Sequence, residues 1–208
     1  ATLTVSDRPE IIGGPVDAVT CEGVSAAFSV DAGVTSFPSY QWEVHNGTSW
    51  SVVSGTQYSG QGTAVLTIPN PVSGMNGYGY RVVVGGYCDP SVTSDSVSLT
   101  VEENAEIVLE PVDAAICEGA DTSFTVSAGV TTNPQYKWYY NDNINGWQEV
   151  TADGIHTGFL SDELVVSGAT YSMDNWLYQV EVSGDCGTPV TSQTATLVVY
   201  KLPDIVTE

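Results

Sequence analysis

The chain has 208 residues, and its 25 acidic side chains against four basic ones give a net charge of −21. A field of that sign excludes phosphate-led binding of nucleic acid and disfavours an anionic membrane surface, leaving cations, neutral glycans or a basic protein face as partners. No apolar run approaches the roughly 20 residues of a membrane helix, so no membrane insertion is expected, and no signal peptide is evident.

In chain order, Ala1-Thr2-Leu3-Thr4-Val5 reads as the last strand of a preceding repeat, because Ala195-Thr196-Leu197-Val198-Val199 restates it near the other end. The stretch Pro15-Val16-Asp17-Ala18-Val19-Thr20-Cys21-Glu22-Gly23 recurs as Pro111-Val112-Asp113-Ala114-Ala115-Ile116-Cys117-Glu118-Gly119, a shift of 96 residues (111 minus 15). The expected organisation is residues 1–8 as the end of one repeat, 9–104 and 105–202 as two complete repeats, and 203–208 as the start of another. The chain thus reads as a piece of a longer array.

Within each repeat the hydrophobic period is two. Ala26, Phe28 and Val30 alternate with polar neighbours, and 65–68 and 80–84 are further short strands rich in β-branched and aromatic residues. Turn signals follow at intervals of about ten residues, and no convincing helix intervenes. An all-β, antiparallel sandwich of about seven strands per repeat is the expectation. Asn46-Gly47 and Asn145-Gly146 are placed in hairpin turns, the first as a type I′ turn.

Phe28, Val30, Trp42 and the Asn76-Gly77-Tyr78-Gly79-Tyr80-Arg81-Val82 run resemble the core strands of an immunoglobulin-like domain, the last run looking like its tyrosine corner. Phe124, Val126, Trp138, Tyr178 and Val180 repeat the pattern. In antibody-type domains the positions of Val30 and Val82 carry a core disulfide. The resemblance implies that Val30-Trp42-Val82 and Val126-Trp138-Val180 pin the two cores by packing instead. The Cys-Glu-Gly opening, Tyr40-Gln41-Trp42, Trp50 and the late cysteine are similar to repeats of large secreted surface proteins of Bacteroidota, the gliding-motility adhesins and other proteins exported by the type IX system. That similarity implies an extracellular, cell-surface location.

Cys21, Cys88, Cys117 and Cys186, two per repeat at matching places, read as disulfide partners in an oxidising compartment. A metal site is disfavoured, because no Cys-x-x-Cys occurs. In the immunoglobulin-like register Cys21 and Cys88 lie at opposite poles, tens of ångströms apart at about 3.3 Å per residue, whereas a disulfide needs Cα atoms within about 7 Å. Two solutions stand. Either the topology departs from that register and each repeat closes its own bond, Cys21–Cys88 and Cys117–Cys186, or the bond crosses the junction from Cys21 to Cys186, leaving Cys88 and Cys117 for neighbouring repeats.

No nucleophile stands with a base, so catalysis is not expected. His45 and His156 read as exposed. No cofactor is expected except calcium, which suits so acidic a chain; the candidates are Glu102, Glu103 and Glu106 at the linker. The 141–146 loop has the oxygen ligands but reads better as a hairpin. Trp50 and Trp147 read as packing residues, and Tyr58, Tyr87, Tyr139 and Trp176 as the aromatics most open to solvent. The function expected is a non-enzymatic structural or adhesive segment, a stalk or filament, with neighbouring repeats, a glycan or another surface protein as partners. The alternative is a carbohydrate-binding or spacer module of a secreted polysaccharide-degrading enzyme.

Overall fold

The protein, a computed structural model that describes residues 5–203, divides into two units between Glu102 and Glu103. Most of the expected flanking strands, 1–4 and 204–208, lie outside the described residues. Residues 5–8 are not in a strand; the Asp7 N–H donates to the Ser36 hydroxyl at 2.9 Å and ties this stretch to the first unit.

Among the described residues the first unit contains β1 (Ala18–Cys21), β2 (Ala26–Ser29), β3 (Ser39–His45), β4 (Trp50–Val52), β5 (Val65–Ile68), β6 (Gly79–Gly85), β7 (Val92–Thr93) and β8 (Val97–Glu102), with a single 3-10 turn at Ser73–Met75. One sheet runs β1-β8-β6-β3-β4 with β7 added to β6, and β2 pairs with β5 in the other. The pairing is antiparallel except at β1, which runs parallel to β8 from Ala18 opposite Leu99 to Cys21 opposite Glu102. This departs from the antiparallel expectation for a topological reason. The chain first lies against Asp31 through Ile12 and Gly13, then crosses at Gly14-Pro15 to the other sheet and continues alongside β8 in the same direction.

The second unit repeats this with β9 (Ala114–Cys117), β10 (Thr122–Thr125), β11 (Gln135–Asn141), β12 (Trp147–Glu149), β13 (His156–Thr157), β14 (Glu163–Val166), β15 (Trp176–Ser183), β16 (Val190–Thr191) and β17 (Ala195–Tyr200). Its sheets are β9-β17-β15-β11-β12, with β16 on β15, and β10-β14-β13.

The period of two sends Tyr80, Val82 and Val84 of β6, and Leu99 and Val101 of β8, into the first core. Trp42 lies directly opposite Val82 across the β3–β6 pair, and Trp138 opposite Val180. Val30 and Val126 are buried with them. From the facing sheets Phe28 stacks on Tyr80 at 4.7 Å and Phe124 on Tyr178 at 4.6 Å between ring centroids. Each buried indole N–H donates to a loop carbonyl, Trp42 to Thr63 and Trp138 to Ser161, both at 2.9 Å, so neither core leaves that donor unpaired.

The β3–β4 connection is not the two-residue type I′ turn expected from Asn46-Gly47. His45 pairs with Trp50, which leaves residues 46–49 in the loop, and Gly47 has a positive φ of 93° while Asn46 does not. The Asn46 side chain is used instead to accept the Thr48 N–H and hydroxyl.

Candidate functional site: the repeated motif and its cysteines

Each part of the repeated stretch does the same structural work in both units. Asp17 Oδ1 accepts the Ser98 N–H at 2.7 Å, and Asp113 Oδ1 accepts the Thr196 N–H at 2.7 Å, fastening the start of the parallel strand to its neighbour. The backbone N–H and then the hydroxyl of Ser98 hold the Asp17 carboxyl below the usual carboxylate range. Glu22 Oε1 accepts the Ser73 N–H, and Glu118 Oε1 the Tyr171 N–H, so each motif glutamate caps a 3-10 turn. Gly23 and Gly119 turn with φ of 77° and 84°, a conformation that a Cβ penalises.

The cysteine between these fasteners is the last residue of its strand. Cys21 stands opposite Glu102, the final residue of the first unit, and Cys117 stands opposite Tyr200. The late cysteines lie where the chain enters each unit. The Cys88 thiol donates to the Ser6 carbonyl at 3.7 Å, and Cys186 forms a β-bridge with Asn104. Within the first unit, therefore, Cys21 marks the exit and Cys88 the entrance.

Cys21 and Cys186 are disulfide-bonded, whereas Cys88 and Cys117 carry free thiols. Neither intradomain pair, Cys21–Cys88 or Cys117–Cys186, is formed. The physical reason is the strand geometry already noted, which holds the two cysteines of one sandwich at its opposite ends.

Of the calcium candidates Glu102, Glu103 and Glu106, the last has its carboxylate engaged by the backbone. Glu106 Oε1 accepts the Val130 N–H at 3.1 Å, as Glu10 accepts the Val34 N–H at 2.9 Å in the first unit, so this side chain braces a loop in both copies. Glu103 donates its backbone N–H to Thr132, and Glu102 pairs with Cys21 through β-register. Among the described residues no group of three or more His, Cys, Asp or Glu side chains is arranged to hold a metal ion. In the 141–146 loop the Asp142 carboxylate accepts the Ile144 and Asn145 N–H groups and the Asn145 amide, which closes the turn on itself.

His156 corrects the reading that both histidines are exposed: it is only 2% exposed. Its Nδ1 lies 2.6 Å from Asp153 Oδ2 and its Nε2 3.1 Å from the Tyr178 hydroxyl, beneath the stacked Tyr140 ring. Tyr58 occupies the same place in the first unit, buried, with its hydroxyl 3.5 Å from that of Tyr80, which corrects its reading as open to solvent. The tyrosine-corner run thus ends on a side-chain partner in both units. Burial drives the Tyr80 and Tyr178 hydroxyls well above the ordinary phenol value.

The other aromatics make no continuous platform. Trp50 packs against His45 and takes the Arg81 guanidinium over its ring at 4.2 Å, while Arg81 also pairs with Glu43. Trp176 stacks on Tyr140, Tyr139 is half-buried, and Trp147 is exposed. Tyr87 alone of the four expected to be open is strongly exposed, and it touches Phe37. A cleft of about 440 Å³ lined by Asp17, His45, Trp50 and Ser98 lies beside the motif, and Asp17 there is already committed to Ser98.

No protein-family model matches the chain, and neither does any curated protein sequence. Solved structures do match. A titin I-band fragment, I67–I69, superposes with a TM-score of 0.71 at 16% identity, over 95% of this chain and 67% of that one. DIP-gamma IG1+IG2 matches with a TM-score of 0.66 at 17% identity, over 94% of this chain and 99% of that one. The N-terminal eight Ig domains of DSCAM match at 0.66 and 16%, with 25% of that chain covered. Both units have the immunoglobulin-like fold. At these identities the likeness concerns fold alone. Among the described residues no helix is long and apolar enough to cross a membrane.

Proposed function

We propose that this chain is a structural or adhesive segment of tandem immunoglobulin-like sandwiches whose consecutive repeats are joined covalently, Cys21 of one to Cys186 of the next. The observation that carries the reading is the state of the four cysteines: two bonded, one from each repeat, and two free. Glu102, opposite Cys21, and Asn104, opposite Cys186, are two residues apart in the chain, so the bond runs beside the backbone link it reinforces. Such a bond needs an oxidising compartment. That need, the surface charge of −21 and the similarity to secreted Bacteroidota repeats support an extracellular, bacterial-surface setting with a mechanical, non-catalytic role.

Under tension, load passing from the first repeat to the second crosses the disulfide, so the chain between Cys21 and Cys186 cannot be drawn out, while β17, which carries core residues Ala195, Leu197 and Val199, stays outside the bypass. Non-reducing peptide mapping tests the joint. A peptide pair linking Cys21 to Cys186 is expected, and a pair linking Cys21 to Cys88 or Cys117 to Cys186 overturns the reading.

A further inference from the structure

We propose that Cys88 and Cys117 are the two open halves of the same joint, and that Cys117 of one chain forms a disulfide with Cys88 of a second copy, head to tail. The proposal rests on the Cys21–Cys186 reading and extends it to a partner.

The first support is internal comparison. Cys117 ends β9 opposite Tyr200 as Cys21 ends β1 opposite Glu102, in the same parallel pairing. Around Cys88 the Tyr87 N–H donates to the Ser36 carbonyl at 2.9 Å, and the Asp7 N–H to the Ser36 hydroxyl. Around Cys186 the Asp185 N–H donates to the Thr132 carbonyl at 3.0 Å, and the Glu103 N–H to the Thr132 hydroxyl. Each free thiol therefore sits in the scaffold that holds its bonded counterpart. A heterologous contact of this kind propagates, because each added chain presents a new free end.

The second support is the surface beside Cys88. Phe37 and Tyr87 are 81% and 75% exposed with ring centroids 6.2 Å apart, and Phe37 holds a φ of 51°, unusual for an aromatic residue. The corresponding positions of the second repeat are Asn133 and Asp185, hydrogen-bonded to each other. The pole with the free thiol is thus the one with a paired apolar patch, and beside Cys117 the Tyr200 and Tyr171 rings are also exposed.

Joining consumes a low-molecular-weight disulfide as oxidant. The exposed Cys117 thiolate attacks one of its sulfurs, breaking the S–S bond, forming a mixed disulfide and releasing one thiolate. The Cys88 thiolate of the second chain then attacks the Cys117 sulfur, releasing the other. Two protein thiols are oxidised by two electrons, one disulfide is reduced to two thiols, and the two protons go with them.

The test incubates the intact chain, with its native disulfide, in a buffer of oxidised and reduced glutathione, followed by non-reducing gels and peptide mapping. Expected is a ladder of oligomers containing a Cys117–Cys88 peptide. Neither Cys88→Ser nor Cys117→Ser alone forms oligomers, while their mixture stops at a dimer. Replacing the patch by the second repeat's residues, F37N with Y87D, slows joining several-fold, and thermal melts confirm that each variant is folded. Dimers of a single variant as abundant as those of the mixture, or no ladder from the wild type, overturn the proposal. The same map separates the two levels: an intact Cys21–Cys186 peptide without a Cys117–Cys88 peptide refutes the partner alone, whereas loss of the Cys21–Cys186 pair refutes the underlying joint.

Discussion

A joint from Cys21 to Cys186 makes the most distinctive forecast for a single molecule held by its ends and stretched. The bond bypasses 165 residues (186 minus 21), which at about 3.5 Å per residue is about 580 Å of chain that cannot straighten. Outside it only residues 5–20 and 187–203 of the described chain are free to extend, about 115 Å in all. Reduction, or the double substitution Cys21→Ser with Cys186→Ser, removes the bypass, and each sandwich then yields about 300 Å of new contour once its folded length is taken off. Optical-tweezers or force-microscope extension with and without a reducing thiol reads the difference directly. Two gains of about 300 Å from molecules whose disulfide is intact would refute the reasoning.

Other consequences concern the cores. The Val180 N–H, inside the second core, donates to Ser192 Oγ at 3.0 Å, as the Val82 N–H does to Ser94 Oγ at 3.0 Å. Ser192→Ala orphans that donor and is expected to cost about 1–3 kcal/mol in urea unfolding, against almost nothing for Ser172→Ala, whose hydroxyl bonds Thr170 at the surface. For pH, burial alone raises the Asp153 carboxyl, but the His156 N–H, the His156 ring and the Ile155 N–H outweigh it and hold it below the usual range. A group lowered in the folded state adds stability above its unfolded value and loses it as pH falls through the folded one. The melting temperature is therefore expected to drop below about pH 4. Asp153→Asn flattens part of that drop; parallel curves for variant and wild type would exclude the assignment.

Much of the fold was legible because a strand's period of two survives in Ala26-Phe28-Val30 and in Tyr80-Val82-Val84, whose burial follows the alternation. The parallel β1 was not, since direction depends on where the chain crosses between sheets and leaves no mark on the hydrophobic pattern. The buried His156 was hidden by register. Cys21 and Cys117 are 96 residues apart and Tyr80 and Tyr178 are 98 apart, so the β3–β4 loop and the segment after it carry insertions that mask the match of Tyr58 to His156. Following that drift residue by residue would have found it. The junction cysteines were half legible: strand geometry set Cys21 and Cys88 at opposite poles, but choosing between the two solutions required the state of each thiol.

Why the covalent link stands at the joint and not in the core follows from how two quantities scale. A bond at Val30 and Val82 would close 52 residues (82 minus 30), and the chain-entropy account credits that loop with about 4 kcal/mol. The joint closes 165 residues, yet the logarithm raises the credit only to about 5 kcal/mol. Stability therefore hardly distinguishes the two positions, and the packed Val–Trp–Val pins already fill the core at Trp42 and Trp138, both fully buried. The length shielded from tension grows linearly instead, from 52 to 165 residues, and the shielded segment takes in strands of both sandwiches, β2 to β8 of the first and β9 to β15 of the second. A position that gains little in folding free energy and much in protected length is the one that tension, and not thermal unfolding, would select. Cys88 and Cys117 are unpaired within their own domains for the separate reason of reach: Cys21 ends its strand beside Glu102 while Cys88 sits beside Ser6, and the second sandwich separates Cys117 from Cys186 in the same way, beyond the span of one disulfide.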